Sequence, residues 1–218
     1  MNTAPEPGSC DVTVDAAWLA GSAHDALVPY HDLLATAGIE RGLIGPREAP
    51  RLWSRHLDNC AAVADPSLAL IPPSATVTDI GSGAGLPGLV WALVRPDVRV
   101  VLIEPLQRRT TFLAEAVQDL GLTDRVEVVR AKALEAHPTG VQVVTSRAVA
   151  PLSALVEWSS AHVGPGGRIV ALKGGRASTE LAEARETIAR SGATAARVVR
   201  IGPSVDGHPL ATVVELEF

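Results

Sequence analysis

The chain has 218 residues, 47% of them apolar, with two cysteines and a formal net charge of −5. That is enough apolar chain for one well-buried core plus a small appended segment. It excludes a free RNA binder carried by bulk positive charge, a disulfide framework and, with no run of 18 apolar residues, a helical membrane span.

The N-terminus lacks a basic-then-apolar leader pattern, so a cytoplasmic location is expected. Residues 1–10 hold mostly small or polar side chains and two prolines and are expected to be a disordered tail. Residues 11–70 read as a helical extension. A short helix is expected over 11–19, carrying Val14, Trp18 and Leu19. A second is expected over 24–37, where Leu27, Tyr30, Leu33 and Leu34 repeat at helical spacing and Gly38 offers a C-cap. After a loop over 41–50 a third helix runs to about Ala64 on Leu52, Trp53, Leu57, Cys60 and Ala61. Arg47, Arg51 and Arg55 lie four apart and would share a face if that helix starts early enough. A solvated face balanced by Glu48 and Asp58 and a phosphate-contacting ridge are equally good readings of them. Prolines 66, 72 and 73 mark a linker into a main domain over 71–218.

That domain opens on V-T-D-I-G-S-G-A-G-L-P-G at 77–88. A short β-branched strand runs into Gly81, Gly83 and Gly85, with Pro87 where a helix would open. Such a turn lets backbone approach a ligand with no Cβ in the way, and strand, turn and helix form the nucleotide-side loop of a doubly wound α/β sheet. Residues 83–88 also satisfy the dinucleotide spacing G-x-G-x-x-G. Asp79, two residues before the first glycine, decides against it: a pyrophosphate gains nothing from a carboxylate there, whereas S-adenosylmethionine offers a cationic amino group. Glu104, ending the next strand (99–104), is placed to bind ribose hydroxyls.

Strand and helix then alternate, predicting a parallel sheet with crossover helices on both faces. Helices are expected over 89–94, 107–120, 152–161 and 178–189, strands over 126–129, 141–145 and 168–172, and a terminal antiparallel pair over 197–201 and 212–216. Ligands bind beyond the carboxyl ends of such strands. Those ends carry Asp79, Glu104, Lys132, Arg147 and Lys173. Among 17 arginines, Lys132 and Lys173 are the only lysines.

Neither Cys10 nor Cys60 ends a strand, so pyrimidine-carbon methylation through a cysteine nucleophile is not supported. No His/Cys cluster has metal spacing, and no metal is expected. An acceptor with a free lone pair, such as guanine N7, needs no general base and fits a site without an acid–base pair.

Several segments carry a resemblance. They are R-H-L-D-N at 55–59, D-I-G-S-G-A-G-L-P-G at 79–88, R-R-x-x-F-L at 108–113, S-R-A at 146–148 and L-K-G at 172–174. With these the chain, from about Tyr30 to its end, resembles the RsmG (GidB) family of bacterial small-subunit ribosomal RNA guanine-N7 methyltransferases. The resemblance implies a Rossmann-like class I methyltransferase fold with S-adenosylmethionine as donor and S-adenosylhomocysteine as product. The implied acceptor is N7 of guanine 527 of 16S rRNA, within the 30S subunit or its precursor. It maps cofactor contacts onto Gly81, Leu86, Ala133, Leu134 and Arg147, and sets His56 and Lys173 near the substrate. Arg147 and Lys173 are the expected catalytic pair, and a monomer is expected. Lys132 stands where the family usually has arginine, and Pro105 where a small polar residue is usual. The loop over 41–48 also departs from the family pattern. Two other readings stay open: the same fold acting on a small molecule or protein, and a non-catalytic adenosine-ligand module on ribosomes.

Overall fold

In the computed structural model, which describes residues 8–205 and 208–218, the alternating segments build one mixed sheet of eight strands. These are β1 (Gly8–Thr13), β2 (Thr76–Ile80), β3 (Arg99–Ile103), β4 (Val126–Val129), β5 (Val141–Arg147), β6 (Val163–Lys173), β7 (Ala195–Val205) and β8 (His208–Glu217). They lie in the order β1-β7-β8-β6-β5-β2-β3-β4. Strands β2 to β6 are mutually parallel, and β8 returns antiparallel between β6 and β7. Strand order reverses at β2, between β3 and β5. Successive crossovers depart to opposite sides there, which opens a crevice at the carboxyl ends.

Helices cover both faces: α1 (Ala16–Trp18), α2 (His24–Leu33), α3 (Asp58–Val63), α4 (Gly88–Val94), α5 (Gln107–Asp119), α6 (Leu152–Ser159), α7 (Ala177–Glu183) and α8 (Arg185–Ser191). Alternate strand residues point to opposite sides, and the core divides accordingly. Val170 and Leu172 of β6 join Leu27, Leu57, Leu89, Trp91 and Phe112 from α2, the segment before α3, α4 and α5. Ile169 and Ala171, one residue out of step, join Leu155, Leu181 and Ile188 from α6, α7 and α8. Full burial of a side chain such as Leu or Phe contributes ~1.5–3 kcal/mol, so these two layers hold the sheet from either side. No helix among the described residues is long and apolar enough to cross a membrane.

The N-terminal segment departs most from expectation. Gly8–Cys10, expected to be disordered, and residues 11–13, expected to be helical, form β1, which pairs in parallel with β7 from Gly8↔Arg197 to Thr13↔Gly202. Residues 1–7 of the expected tail lie outside the described residues. Short polar composition misled the reading because an edge strand needs only main-chain partners and one packed face, here Cys10 and Val12. The helical run begins at Ala16, capped by Asp15 Oδ1 on the N–H groups of Ala17 and Trp18. It breaks at Gly21, where φ and ψ are −102° and −108°, and the second piece passes Gly38 and ends at Gly42, whose φ of +67° suits glycine. Gly42 N–H and Leu43 N–H bond Ile39 O and Gly38 O at 2.9 and 2.8 Å. The expected linker is packed: Leu70, Ile71 and Ala75 are buried. Arg95, fixed by Asp97, donates to the carbonyls of Ala64, Ile71 and Pro72.

Candidate active site

The glycine turn leaves β2 at Gly81, where φ is +70° and N–H donates to Ile103 O at 2.8 Å. A Cβ there would approach Val149 Cγ1 and Cγ2 to 2.9 Å, so any other residue would have to displace that side chain as well as hold a left-handed backbone. Gly83 and Leu86 line the wall of the trough above the turn. Gly85, expected as a ligand contact, is buried beneath it; its φ is +101°, and a Cβ would meet Leu89 and the Tyr30 hydroxyl. That hydroxyl donates to Ala84 O at 2.5 Å, so the N-terminal helix pins the turn from below.

Asp79 is fully buried at the end of β2. Its Oδ2 accepts Gly88 N–H at 3.0 Å at the start of α4, while Oδ1 is buried without a partner. Burial pushes this carboxyl up to about 7, against the lowering effect of the Gly88 hydrogen bond. Glu104 clamps the turn to β3: Oε2 accepts Gly83 N–H and Oε1 accepts Leu106 N–H, each at 3.0 Å, with Arg109 Nη1 3.5 Å from Oε2. Glu104 and Arg109 both face the trough. Arg109, the second arginine of the R-R-x-x-F-L segment, lies in the first turn of α5, and that motif by itself assigns it no role in the site.

Two clefts meet over Gly81, Pro105 and Val149. One, about 480 Å³, is an apolar slot walled by Ile80, Ile103, Ala133, Leu134 and Trp158. Lys132, expected on the RNA side, stands at this slot instead, paired with Glu135 at 2.9 Å and largely exposed. The other, about 630 Å³, runs along the glycine turn past Glu104 to His56 and Arg147. A third cleft of about 630 Å³ lies beyond Arg147 and holds Arg55, Lys173 and Arg176. Arg147, Ala148 and Val149 form the partition between the last two.

Arg147 and Lys173 do end neighbouring strands, with Arg147 opposite Leu172, yet their surroundings differ. Arg147 Nη2 donates to Arg55 O at 3.1 Å and to His56 Nδ1 at 2.5 Å, and Nη1 reaches Cys60 Sγ at 3.5 Å. His56 Nε2 in turn meets Glu48 Oε2 at 3.1 Å. Burial and the Arg147 charge hold the imidazole below its ordinary value, and burial pushes the Cys60 thiol up to about 11. Lys173 turns inward: Nζ donates to Ala150 O at 2.7 Å and to Glu180 Oε2 at 2.8 Å, and 6% of its side chain is exposed. The same carboxylate oxygen accepts Leu152 N–H at 3.0 Å at the start of α6. Lys173, expected near the substrate and in the catalytic pair, is therefore an internal tie that holds the segment after β5. Glu48, Glu180 and Tyr30 carry no motif that marks them for the site: Glu180 and Tyr30 sit within helical patterns, and the partners of Glu48 and Glu180 lie 8 and 7 residues away on a neighbouring element.

Arg47, Arg51 and Arg55 are all exposed, but not as one ridge. Pro46–Arg51 is a 3₁₀ segment, and the wider helical turn starts at Leu52. Four steps at three residues per turn rotate a side chain about 120° from its start, so Arg47 and Arg51 diverge.

A sheet in this order, with an acid–glycine turn at the switch strand and a second acid ending the next strand, defines a Rossmann-like methyltransferase that uses S-adenosylmethionine. The residues fit that donor. Asp79 offers a buried unpaired acceptor, Gly81 a glycine backbone shared by both clefts, and the Ala133–Leu134 slot an apolar recess. A solved S-adenosylmethionine-dependent methyltransferase, SibL, shares the fold at a TM-score of 0.60 and 17% identity, over 93% of this chain and 76% of that one. The family model described as rRNA small subunit methyltransferase G (GidB) matches residues 23–205. Proteins named ribosomal RNA small subunit methyltransferase G include one from Salinispora arenicola, 50% identical over 96% of this chain and 90% of that one. One from Thermobifida fusca is 52% identical over 86% and 77%. The chain belongs to the rRNA small subunit methyltransferase G family.

Proposed function

We propose that this enzyme transfers a methyl group from S-adenosylmethionine to N7 of a guanine in 16S rRNA, the guanine at position 527. Its substrate is the 30S subunit or its precursor, met in the cytoplasm by a monomeric enzyme. The observation that carries the reading is the shared partition. Arg147, Ala148 and Val149 separate a trough fitted to the donor from a cleft rimmed by Arg55 and Arg176. Family membership over residues 23–205 supports the RNA acceptor.

Bound in the trough, S-adenosylmethionine supplies an electrophilic methyl on a sulfonium. Guanine N7 bears a lone pair and no proton, so the residues need not remove one. Their work is to hold two reactants in line and to exclude water, which alone supplies a large part of such a rate enhancement. In this reading Asp79 receives the donor's ammonium, Glu104 its ribose hydroxyls, and Ala133 and Leu134 its base. Arg147 faces the donor carboxylate or the target ring with a planar, permanently charged fork. Lys173 acts by position, keeping the partition in place through Ala150 and Glu180. Lys132 remains a candidate RNA contact at the outer rim.

The test uses small subunits isolated from a strain lacking the modification, incubated with labelled donor, with the methylated nucleotide then mapped. Label on N7 of that guanine is the expected result. Donor binding without methyl transfer to RNA would overturn the reading.

A further inference from the structure

The contacts behind Arg147 point to a part of the machinery that the methyl-transfer reading does not use. Every hydrogen bond of its guanidinium among the described residues goes to the segment 55–60: the Arg55 carbonyl, the His56 ring and the Cys60 sulfur. Both protons of Nη2 are engaged, while Nε–H and the second Nη1 proton hold no partner among the described residues. Arginine can only donate. His56 Nδ1, at 2.5 Å from Nη2, therefore accepts, and the ring proton sits on Nε2. Nε2 lies 3.1 Å from Glu48 Oε2, a carboxylate that accepts that proton. The two contacts thus require the same single tautomer.

We infer that Glu48 and His56 are positioning residues for methyl transfer: Glu48 fixes the Nε2–H tautomer of His56, whose Nδ1 lone pair then orients the Arg147 guanidinium between the donor trough and the acceptor cleft. The inference rests on the methyl-transfer reading of the site. Its chemistry follows from the hydrogen-bond inventory. A protonated imidazole has two N–H groups and no lone pair, so charging His56 removes the acceptor and sets a cation against Arg147. The groups facing His56 are Glu48 on the 3₁₀ segment, Arg147 at the end of β5 and neighbouring Arg55. Cys60, Tyr30 and Asp79 lie around Arg147. Of these, Glu48 alone favours a charged ring at short range. With desolvation and Arg147 opposing it, the ring stays neutral and the arrangement holds at neutral pH.

The test is turnover on unmodified small subunits at saturating donor, across pH, so that protonation of Asp79 is confined to donor binding. The wild type is expected to lose kcat on the acid side through a group titrating below the ordinary histidine value. Glu48→Gln keeps an acceptor for Nε2–H but removes the charge, so the acid limb moves to lower pH by roughly half a unit or more. His56→Leu leaves Arg147 without its orienting acceptor, and kcat falls roughly tenfold. His56→Asn restores an acceptor that cannot charge, recovering much of that loss with no acid limb. An acid limb unmoved by Glu48→Gln, together with wild-type kcat in folded His56→Leu, overturns the inference while leaving the function standing. A wild type that transfers no methyl group at any pH overturns the function itself.

Discussion

The sheet rim and the N-terminal extension build opposite walls of the same trough by different means. On the rim, each charged group has a partner within its own strand–loop–helix unit or the one beside it: Asp79 Oδ2 with Gly88, Glu104 with Leu106 and Gly83, Lys173 with Glu180 and Ala150. On the extension side the ties that reach the main domain are long-range, while those of Glu48 to Arg55 and His56 stay local. Tyr30 reaches Ala84, Trp91 Nε1 reaches Cys60 O, and Arg147 reaches Arg55 and His56. The rim is a folded motif, whereas the extension is a brace that becomes meaningful only once the chain has closed on itself. Two cations on adjacent strand ends consequently have different fates. Arg147 is drawn out by the brace toward the clefts, and Lys173 is drawn in by its own α7.

The largest effect that sharpens this contrast is on Lys173. Lys173→Met leaves Glu180 paired only with Leu152 N–H and strands Ala150 O. Breaking one partner of a fully buried pair costs about 3–5 kcal/mol, and this part-buried pair falls at the low end, about 3 kcal/mol. Urea unfolding should show that loss in Lys173→Met and far less in Arg147→Met, whose partners are a carbonyl, a neutral ring and a thiol. An unchanged midpoint in Lys173→Met, with a raised KM for the ribosomal particle, would return Lys173 to a direct RNA contact.

Next comes Asp79, the buried acid of the rim. Asp79→Ala should weaken donor binding by about 1–3 kcal/mol, the worth of a charge-assisted hydrogen bond. The wild type adds a pH signature. A carboxyl raised to about 7 is held protonated in the folded protein below that value. That favourable proton uptake is complete below the unfolded carboxylate pKa, so the stability it contributes is lost as pH rises through about 7. Donor binding runs the other way, because an ammonium ligand needs the carboxylate. Calorimetric affinity should therefore rise with pH through about 7 and level off, with proton release on binding. A flat profile in the wild type, or the same slope in Asp79→Asn, removes the assignment.

Tyr30 tests the brace with a smaller perturbation. Tyr30→Phe keeps the ring that fills the core and leaves Ala84 O, at the heart of the glycine turn, without its donor. A buried acceptor so stranded costs about 1–3 kcal/mol. The loss should show in thermal unfolding and in a weakened donor affinity together. Loss of stability alone would mean that the brace supports the core but not the turn.

What could be read from the sequence follows the same division. Asp79 and Gly81 are legible because acid and glycine turn occupy consecutive residues, and Glu104 because it stands at the end of the very next strand. The parallel sheet and its terminal antiparallel pair are legible because side-chain periodicity switches cleanly between two and 3.6. β1 was not, since six residues on an edge carry no continuous apolar run. The Glu48–His56–Arg147 chain was not, because it joins residues 8 and 91 positions apart in the sequence. The inward turn of Lys173 was hidden too: L-K-G marks a strand end but says nothing of Glu180 across α7.

The smallest effect concerns the outer face of the brace, where Arg47 and Arg51 are exposed and diverge. If both meet the particle, their divergence sends them to different phosphates, and their contributions should add. Each phosphate neutralised contributes roughly 0.7–0.9 to the slope of log affinity against log salt. Arg47→Ala and Arg51→Ala should each flatten the salt dependence of the KM for small subunits by somewhat less than one unit, and the double variant by the sum. Thermal unfolding should stay at the wild-type value, since neither side chain is packed. Arg55 is a poorer probe, because its carbonyl holds Arg147 and its guanidinium approaches Glu48 at 3.5 Å. Equal slopes in wild type and double variant would make this face a solvated one. Recognition would then rest on the cleft beside Arg147 and on the shape of the particle, which an acidic protein with few phosphate contacts needs in any case.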